Sequence, residues 1–590
     1  MAKYELGRWD LSELVKDPKS PAFTKQLRTI ERKVKNFERN KKFLKPTISS
    51  GKFFRIIRSM EELVERTSIV GGYASLSYAA DTQSDYATTL LTRMAKLDSE
   101  IENRTLFFDL WWKRKIDQKN ATRLIKRSGN LAQYLKHKRL LAKYSLSESE
   151  EKIINTLDVT GSTALVKLYD KITNAFEYIA KIDGKKKKYT REELGAFVRS
   201  TKSKTRETAY KTILAMFQKN KGVLGEIYQN LVLNWKDEGV QIRGFPSPIS
   251  IRNVGNDLND TTVKSLLVVC KKNTGVFQKY FTQKAKMLGV KKIRRYDLYA
   301  PVGNKINEKT YSFDNAVRLV FQSLENFSPT LSRYAKNIFD KRHIDSKIRA
   351  GKRDGAFCDS ISPTITPYVH INYNGKTKDV FTLAHELGHA IHSQAASDKS
   401  ILVSEAPLPL AETASTFSEL LLFDRISRQV SIKEKRKILA DKIEDLYATI
   451  MRQAFFTTFE VSAHTKIAES ATVDELSEVY MKNLKEQFAS SIVMSEDFLW
   501  EWVSIPHFYH TPFYCYAYSF GNLLALSLYQ RYKKEGNDFA STYIKILAAG
   551  GSKKPESLLN EYGIDITSQK FWQDGFDYIK GQVQNITRLN

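Results

Sequence analysis

A helical pattern of apolar and polar residues stands out between Thr382 and Gln394, in a stretch without proline. On a helical wheel the apolar residues share one face: Val380, Leu383, Ala384, Leu387 and Ile391. Three histidines share the opposite face: His385, His389 and His392. The pattern therefore predicts a helix that packs one side against a core and presents imidazole nitrogens on the other.

A second amphipathic pattern runs from Pro409 to Leu422, and a proline is tolerated in the first turn of a helix. Its apolar stripe consists of Leu410, Ala414, Phe417 and Leu421. Its polar stripe consists of Glu412, Ser415, Thr416 and Glu419. This segment is predicted to be a helix that presents two carboxylates on one side.

The pattern along the rest of the chain is mainly helical and divides it into three regions. Residues 1–110 and 111–200 are predicted to be helical, and residues 201–590 carry the motifs. The second region has breaks at Asp158–Ser162 and at Asp183–Lys188, where a loop is predicted. The chain shows no fixed-period repeat and no low-complexity linker, so flexibly tethered domains are not expected.

The first region is predicted to contain long, charged amphipathic helices. One covers Phe23–Asn40, and another runs from Tyr86 to about Lys113. Trp111 and Trp112 lie at the end of the second helix, and we expect both to pack internally.

Short strands are predicted just before the histidine-bearing helix, in Gly355–Cys358 and Tyr368–Tyr373. Both runs are rich in β-branched or aromatic residues, and Asn374–Gly375 after the second is a strong turn signal. An edge strand beside such a helix can hold an extended peptide by backbone hydrogen bonds. An ordinary structural hairpin is the alternative interpretation.

Composition narrows the class of protein. The chain has 590 residues, of which 42% are hydrophobic, so a large core is available. The first residues contain no apolar segment typical of a signal peptide, and we find no run of 18 or more apolar residues. Three cysteines without a paired pattern suit a reducing compartment. We therefore expect a cytoplasmic protein that does not enter the membrane.

The chain is strongly basic, with 94 Lys and Arg against 66 Asp and Glu and a net charge of +28. The lysines are scattered, and the densest run, Lys185–Lys188, falls in the predicted loop. No zinc finger, RNA-recognition signature or basic-leucine pattern is present. A basic surface with incidental polyanion affinity is therefore favoured over a specific nucleic-acid-binding function.

The motif His385-Glu-Leu-Gly-His389 indicates metal chemistry. Two histidines four residues apart lie on one helix face, where both imidazoles can bind one zinc ion. Glu386 projects about a quarter turn away, where its carboxylate can contact a zinc-bound water without ligating the metal. This is the arrangement of zinc peptidases, and the alternative is a buried helix that carries two histidines by chance.

Catalytic zinc normally takes three protein ligands and leaves one position for water. His392 is too far from His385 to share the ion, because seven residues span about 10.5 Å along a helix. Glu412 is the favoured third ligand, and Glu405 in the proline-punctuated loop Ser404–Pro407 competes with it. Glu419, two turns beyond Glu412, is expected to hydrogen-bond a metal-bound imidazole.

A cluster of aromatic and histidine residues lies near the C-terminus, between Ile505 and Tyr518. Its polar members are His507, His510, Tyr514, Tyr516 and Tyr518. Tyrosine hydroxyls and imidazole N–H groups can donate hydrogen bonds to the oxyanion that forms when an amide is cleaved. The alternative is an aromatic core cluster whose histidines are satisfied by backbone carbonyls.

These motifs together resemble the oligoendopeptidase F group of thimet-oligopeptidase-like zinc metallopeptidases. The similarity extends from Trp9 to about Leu589 and includes Trp9–Ser12, Tyr296–Pro301, Gly351–Cys358, Ala384–His392, Ala411–Phe417, Pro506–Tyr514, Gly550–Lys553 and Phe571–Gly575. It implies a mostly α-helical, bilobed body with a deep central channel, and a zincin-type catalytic core with a small β-sheet next to the metal helix. Residues 111–200 are similar to the N-terminal region of that group.

The resemblance also implies roles for individual residues. It places one zinc ion per chain on His385, His389 and Glu412, and leaves Glu405 out. It implies that His507 and Tyr518 help catalysis and that the remaining polar residues of the cluster contact substrate: His510, Tyr514 and Tyr516. The Tyr-x-x-Tyr pair of thimet-type relatives does not map cleanly onto Tyr514–Tyr518, so the choice of oxyanion donor among the three tyrosines stays open.

The function expected from the sequence is a zinc endopeptidase that hydrolyses internal bonds of short unstructured oligopeptides, with Glu386 activating a zinc-bound water. Oligopeptides are the expected partners, without specific nucleic acid or membrane, and the protein is expected to be a monomer or a small homo-oligomer. The alternative is a catalytically silent zinc scaffold that binds peptides. Glu386 argues against that alternative, since a purely structural site has no use for a base there.

Overall fold

The computed structural model describes residues 3–303 and 309–589, and these residues are mostly helical. The chain divides into two compact units. Unit 1 comprises Met1–Lys143, Asn307–Arg428 and Arg531–Ile564, and unit 2 comprises Tyr144–Ile306, Gln429–Gln530 and Asp565–Asn590. Each unit is thus assembled from three separate stretches of chain. No helix in the described ranges is both long and apolar enough to span a membrane.

Helices and strands are numbered along the chain. The first thirteen helices are α1 Pro21–Glu38, α2 Ser50–Ala80, α3 Asp85–Leu110, α4 Gln118–Ile125, α5 Ala132–Leu141, α6 Glu148–Thr160, α7 Ser162–Asn174, α8 Arg191–Phe197, α9 Ser203–Lys219, α10 Lys221–Lys236, α11 Pro248–Gly255, α12 Asp260–Lys272 and α13 Thr274–Met287. The others are α14 Phe313–Phe327, α15 Pro329–Asp340, α16 Thr377–Ala395, α17 Leu408–Ala411, α18 Thr413–Ile426, α19 Ile432–Leu446, α20 Arg452–Ala468, α21 Val473–Phe488, α22 Pro506–His510, α23 Tyr516–Glu535, α24 Phe539–Leu547, α25 Pro555–Asn560 and α26 Gln569–Arg588. The strands are β1 Tyr178–Ile182, β2 Lys185–Tyr189, β3 Ile293–Arg294, β4 Ile344–Asp345, β5 Phe357–Asp359, β6 Tyr368–His370 and β7 Ile492–Val493.

The long N-terminal helices predicted from the sequence are confirmed as α1 and α3. A π-helical turn at Trp111–Lys115 continues α3. Trp111 and Trp112 are buried as predicted, and the ring centroid of Trp112 lies 5.2 Å from that of Phe53 on α2. The apolar cores along α1, α2 and α3 therefore form part of unit 1.

A three-stranded sheet in unit 1 has the order β4-β6-β5, with β6 parallel to β4 and antiparallel to β5. In its register Val369 pairs with Ile344 on one side and with Cys358 on the other. The two predicted strands are therefore confirmed, although each is shorter than its apolar run. The structure makes β5 an edge strand and β6 the centre of the sheet.

Helix α16 confirms the strongest sequence prediction and begins five residues earlier, at Thr377. It packs closely against α18 because Gly388 has no side chain. A Cβ atom at Gly388 would lie 2.5 Å from the Cα atom of Ser415 and 2.6 Å from the carbonyl oxygen of Ala414, distances that atoms do not adopt. The glycine thus sets the spacing between the two helices.

The second predicted helix is only partly right. The structure divides it at Glu412, which ends α17 and caps α18. Ser415 and Thr416, which the wheel assigned to a polar face, are buried. Helix α18 is enclosed on more than one side, so the wheel could not separate a solvent face from a second packing face.

Unit 2 corrects one prediction and confirms another. The expected break near Gly161 separates α6 from α7. The expected loop at Asp183–Lys188 is instead a hairpin, in which β1 pairs with β2. Asp183 and Gly184 have φ values of 50° and 81° and form its tight turn. Alternate residues of β1 are buried and form the apolar face of the hairpin, whereas the four lysines of β2 are exposed.

Candidate metal centre

Three metal-binding side chains meet between α16 and the start of α18. His385 and His389 lie one turn apart on α16, and their Nε2 atoms are 3.2 Å apart. The Oε2 atom of Glu412 lies 3.4 Å from the His385 Nε2 atom and 3.7 Å from the His389 Nε2 atom. Among the described residues, this is the group of His, Cys, Asp or Glu side chains close enough to hold a metal ion.

The spacing of these three donor atoms suits a tetrahedral ion. With metal–ligand distances of about 2.0–2.1 Å, neighbouring ligands of a tetrahedral zinc lie roughly 3.3–3.4 Å apart. The three measured separations, 3.2, 3.4 and 3.7 Å, bracket that value. Two imidazoles and one carboxylate are also a donor set typical of catalytic zinc. The residues present therefore fit the ion.

Neighbouring side chains hold the donors in place. The Nδ1 atom of His385 donates a hydrogen bond to the Oε1 atom of Glu419 over 2.7 Å. The hydroxyl of Ser415 donates to the Oε2 atom of Glu412 over 2.8 Å. The first bond leaves Nε2 of His385 free to bind the ion, and a carboxylate behind an imidazole is a common support of metal-binding histidines.

The electrostatics of the site favour a cation. Burial disfavours the charged form of His385, but its bond to Glu419 and the charges of Glu419 and Glu412 outweigh burial and raise its pKa to about 9. Burial and the charge of His385 lower the pKa of His389 to about 4. Without a metal, one positive charge is thus kept next to two carboxylates, in the place where the ion would lie.

Glu386 lies in the same cavity, and its environment suits proton transfer. Burial raises the pKa of its carboxyl group to about 7, with His385 lowering it and the charges of Glu412 and Glu419 raising it. A carboxyl group with a pKa near neutrality can both accept and release a proton.

The cavity around these residues has a volume of about 490 Å³. Besides the metal-binding group and Glu386, its wall includes the edge strand β5 and the loop before α17: Phe357, Cys358, Asp359, Ser404 and Glu405. Glu405, the rival ligand, thus lies on the cavity wall but outside the metal-binding group. Sequence reasoning missed Asp359, whose pKa burial and the charge of Glu405 raise to about 6. Its place at the end of a predicted strand was the only signal for it.

His392 is separate from the metal-binding group, as its distance along the helix predicted. It is buried, and burial together with the charge of His389 lowers its pKa to about 4. It lines the cavity as a neutral imidazole.

The aromatic cluster near the C-terminus belongs to unit 2. Tyr518 on α23 has its hydroxyl 3.4 Å from the Nε2 atom of His507 on α22. The ring of Tyr514 lies 5.2 Å from that of Tyr518 and 6.0 Å from that of His507, centroid to centroid. The structure therefore brings these three predicted residues together.

The other two predicted members of the cluster lie elsewhere. Tyr516 is fully buried, and its hydroxyl accepts a hydrogen bond from Asn256 over 2.7 Å. His510 is partly exposed and bonds to the Oδ1 atom of Asp170 over 2.8 Å. The geometry favours a packing role for Tyr516 and leaves His510 at the surface of unit 2.

A mostly helical chain whose H-E-x-x-H helix meets a glutamate of a neighbouring helix belongs to the class of metallopeptidases. Comparison with known proteins gives the same class. Residues 196–578 match the model of peptidase family M3, and residues 115–178 match the model of oligopeptidase F. The chain belongs to peptidase family M3, and the resemblance to oligoendopeptidase F is confirmed.

Individual relatives match over almost the whole chain. An oligoendopeptidase F homolog of Borreliella burgdorferi is 28% identical, over 99% of this chain and 98% of the relative. The crystal structure of a protein from Chlamydophila abortus superposes with a TM-score of 0.86 at 22% identity, covering 99% of this chain and 98% of the other. That of oligoendopeptidase-F from Enterococcus faecium has a TM-score of 0.70 at 19% identity, covering 96% and 98%. These structures share the mostly helical fold.

Proposed function

We propose that this peptidase is a zinc endopeptidase that hydrolyses internal bonds of short, unstructured oligopeptides. The observation that carries the proposal is the meeting of His385, His389 and Glu412 in one cavity with Glu386. Family M3 membership and the names of the relatives support an activity on oligopeptides.

The proposed zinc site consists of His385, His389 and Glu412, one ion per chain. When bound there, zinc supplies a Lewis acid that polarises the scissile carbonyl and lowers the pKa of a coordinated water. Glu419 keeps the His385 ring in the tautomer and orientation that binding requires. The hydroxyl of Ser415 holds the Glu412 carboxylate in its orientation by donating a hydrogen bond to it.

Glu386 is the proposed general base and acid. Its carboxylate accepts the proton of the attacking water, and the resulting carboxylic acid delivers that proton to the leaving amine. Burial raises the pKa of this carboxyl group, which favours its holding the proton between the two halves of the transfer, and the charge of a bound zinc ion would act in the opposite direction.

His507 and Tyr518 are the proposed donors to the oxyanion of the tetrahedral stage, and Tyr514 and His510 are proposed substrate contacts. The hydroxyl of Tyr518 and the imidazole of His507 are within hydrogen-bond distance of each other, so one can orient the other. Burial lowers the pKa of His507, and the charges of His510 and Arg452 add to this, which keeps the ring neutral at pH 7.

The edge strand β5 is a proposed support for substrate. Phe357, Cys358 and Asp359 border the cavity of the metal-binding group. An extended peptide could add to this edge by backbone hydrogen bonds, a mode that reads the course of the main chain more than its side chains. We also place the protein in the cytoplasm, since its three cysteines are all unpaired.

Digestion of a mixed pool of unstructured peptides, read by mass spectrometry, tests the proposal. Wild type, a chelator-treated sample and a chelated sample with zinc restored are compared. Internal cuts in the first and third samples, and none in the second, are expected. A pool left intact by wild type with one zinc bound per chain would favour the non-cutting peptide-binding scaffold.

A further inference from the structure

In unit 2 the buried carboxylate of Glu501 is bonded through both of its oxygens. Arg295, whose side chain is 1% exposed, donates from Nη2 to both oxygens of Glu501, at 3.0 and 3.3 Å. The hydroxyl of Tyr480 donates to the Oε2 atom of Glu501 over 3.0 Å. The guanidinium of Arg295 also lies over the ring of Phe498, 4.7 Å from its centroid. Arg295 and Glu501 therefore neutralise each other.

A second arginine beside this pair remains without its own counter-charge. Arg452, at the start of α20, reaches Glu501 only at 3.8 Å. Its Nε atom is buried without a hydrogen-bond partner among residues 3–303 and 309–589. Its guanidinium lies 4.9 Å from the ring centroid of Phe456, and 30% of its side chain is exposed. Arg452 thus has unused donors and an open side.

Two tyrosines beside the pair carry no negative charge. Burial raises the pKa of Tyr447 and of Tyr480, so both phenols stay neutral. Two guanidiniums therefore share one carboxylate in a largely desolvated place. Such an excess of positive charge is costly unless an anion approaches from the open side.

Arg452 is connected to the aromatic cluster through Phe456, because the ring under its guanidinium lies 5.5 Å, centroid to centroid, from that of Phe508, the residue after His507. His507 lies close enough to feel the charge of Arg452, and Tyr518 lies 3.4 Å from His507. An anion bound to Arg452 would therefore be part of a molecule that also reaches the residues proposed to contact substrate.

We propose that Arg452 is a subsite for a carboxylate of the peptide substrate. This inference rests on the proposed function. A carboxylate is planar and has two acceptor oxygens, which match the paired N–H donors of a guanidinium. An oligopeptide offers this group in two places, at its C-terminus and on acidic side chains. The subsite selects peptides that carry a carboxylate at the right distance from the cleaved bond.

The test compares three forms of one peptide that wild type cleaves: the free acid, the C-terminal amide, and the amide with a terminal glutamine changed to glutamate. We expect kcat/KM for the free acid to exceed that for the amide by about 10- to 100-fold, the range of one charge-assisted hydrogen-bonded contact. Recovery in the glutamate-bearing amide would assign the subsite to side-chain carboxylates as well.

Variants of Arg452 test whether this residue causes the preference for the free-acid peptide over the amide. The ratio of free acid to amide should fall to near one in Arg452→Gln and stay partly in Arg452→Lys. Lys482→Gln, which removes one exposed positive charge from α21 of the same unit, should keep the wild-type ratio. If Arg452→Gln fails to fold, Arg452→Lys carries the assignment, since it keeps the charge but loses the paired N–H donors, and an unchanged ratio of free acid to amide in it would overturn the subsite.

Binding to the Glu386→Gln variant, followed by fluorescence anisotropy of labelled acid and amide peptides, separates the two proposals. Cleavage by wild type without a preference for the acid would overturn the carboxylate subsite and leave the peptidase proposal standing. Preferential binding of the acid without cleavage by wild type would support the subsite and overturn the proposed function. Equal binding and equal cleavage of acid and amide would overturn the subsite.

Discussion

At the scale of single residues, spacing along a helix was enough to find half of the site. His385, Glu386 and His389 follow from the period of the helix, and His392 is excluded by the same arithmetic. Glu412 did not follow so firmly, because Glu405 competes with it in the sequence, although Glu412 is favoured. Which glutamate binds the ion depends on the position at which α17 ends and α18 begins, and no local sequence pattern encodes that position.

Glu412→Ala should lose most of its bound zinc, because only two of the three proposed ligands remain. Metal content by mass spectrometry after gel filtration, together with zinc affinity, measures the effect. Glu405→Ala is the matched control, since that carboxylate lies on the same cavity wall outside the metal-binding group. Full zinc content in Glu412→Ala, with loss in Glu405→Ala, would assign the ligand to Glu405.

Tyr518→Phe should lower kcat by about 100-fold or more with a smaller change in KM, as expected when one hydrogen bond to an oxyanion is removed. Tyr514→Phe is the control, because its ring contacts both Tyr518 and His507. Steady-state kinetics on one peptide measure both variants. A normal kcat in Tyr518→Phe with a large loss in Tyr514→Phe would move the donor role to Tyr514.

At the scale of elements, the sequence predicted helices well and their surroundings less well. The packing face of α16 could be recognised in the sequence because the opposite face carries polar metal-binding groups. Helix α18 is buried almost all round, so its Ser415 and Thr416 were assigned to solvent. Strand β2 was taken for a loop because four lysines carry no strand signal, and its partner β1 determines its conformation.

Gly388→Ala should weaken both stability and zinc binding. The new methyl group would overlap Ser415 and Ala414, so α16 and the start of α18 must separate, and Glu412 moves with α18. Overpacking of this kind typically costs about 1–3 kcal/mol. The melting temperature and the zinc affinity measure the two effects.

Gly581→Ala provides the control for Gly388→Ala. It places the same methyl group on α26 with no atom within 4 Å, so it should leave zinc affinity unchanged and not lower the melting temperature. Wild-type zinc affinity and stability in Gly388→Ala would show that the two helices do not depend on the glycine for their spacing.

At the scale of the whole molecule, the sequence predicted a mostly helical chain but not its division into units. Regions 1–110, 111–200 and 201–590 stay a prediction based on order along the chain. The compact units join stretches that are far apart in sequence, such as Met1–Lys143 with Asn307–Arg428. Long-range contacts of this kind leave no periodic signal in a single sequence.

Stability should depend on pH through a buried carboxyl group in unit 2. Glu460 on α20 is 1% exposed, and its Oε1 atom accepts a hydrogen bond from the backbone N–H of Phe513. Burial raises its pKa from 4.5 to about 8. The folded state therefore keeps a proton that the unfolded chain releases, and this contribution to stability is lost as pH rises towards 8.

Glu460→Gln removes this titration while keeping the shape of the neutral acid. Between pH 6.5 and 8 the free energy of unfolding of the variant should rise relative to that of wild type by up to about 1.4 kcal/mol per pH unit. His464, whose pKa burial lowers to about 3, acts in the opposite direction only below its ordinary value of 6.5, so this window isolates Glu460. Melting temperatures at several pH values measure the difference, and a constant gap between variant and wild type would contradict the account.

The central claim is that Glu386 performs proton transfer beside a zinc ion that it does not bind. The most direct test is to measure zinc content and kcat together in Glu386→Gln. We predict one zinc per chain, as in wild type, and a kcat lowered by about 10²–10⁴, the usual contribution of a general base. Normal turnover in a variant with full zinc would contradict the account.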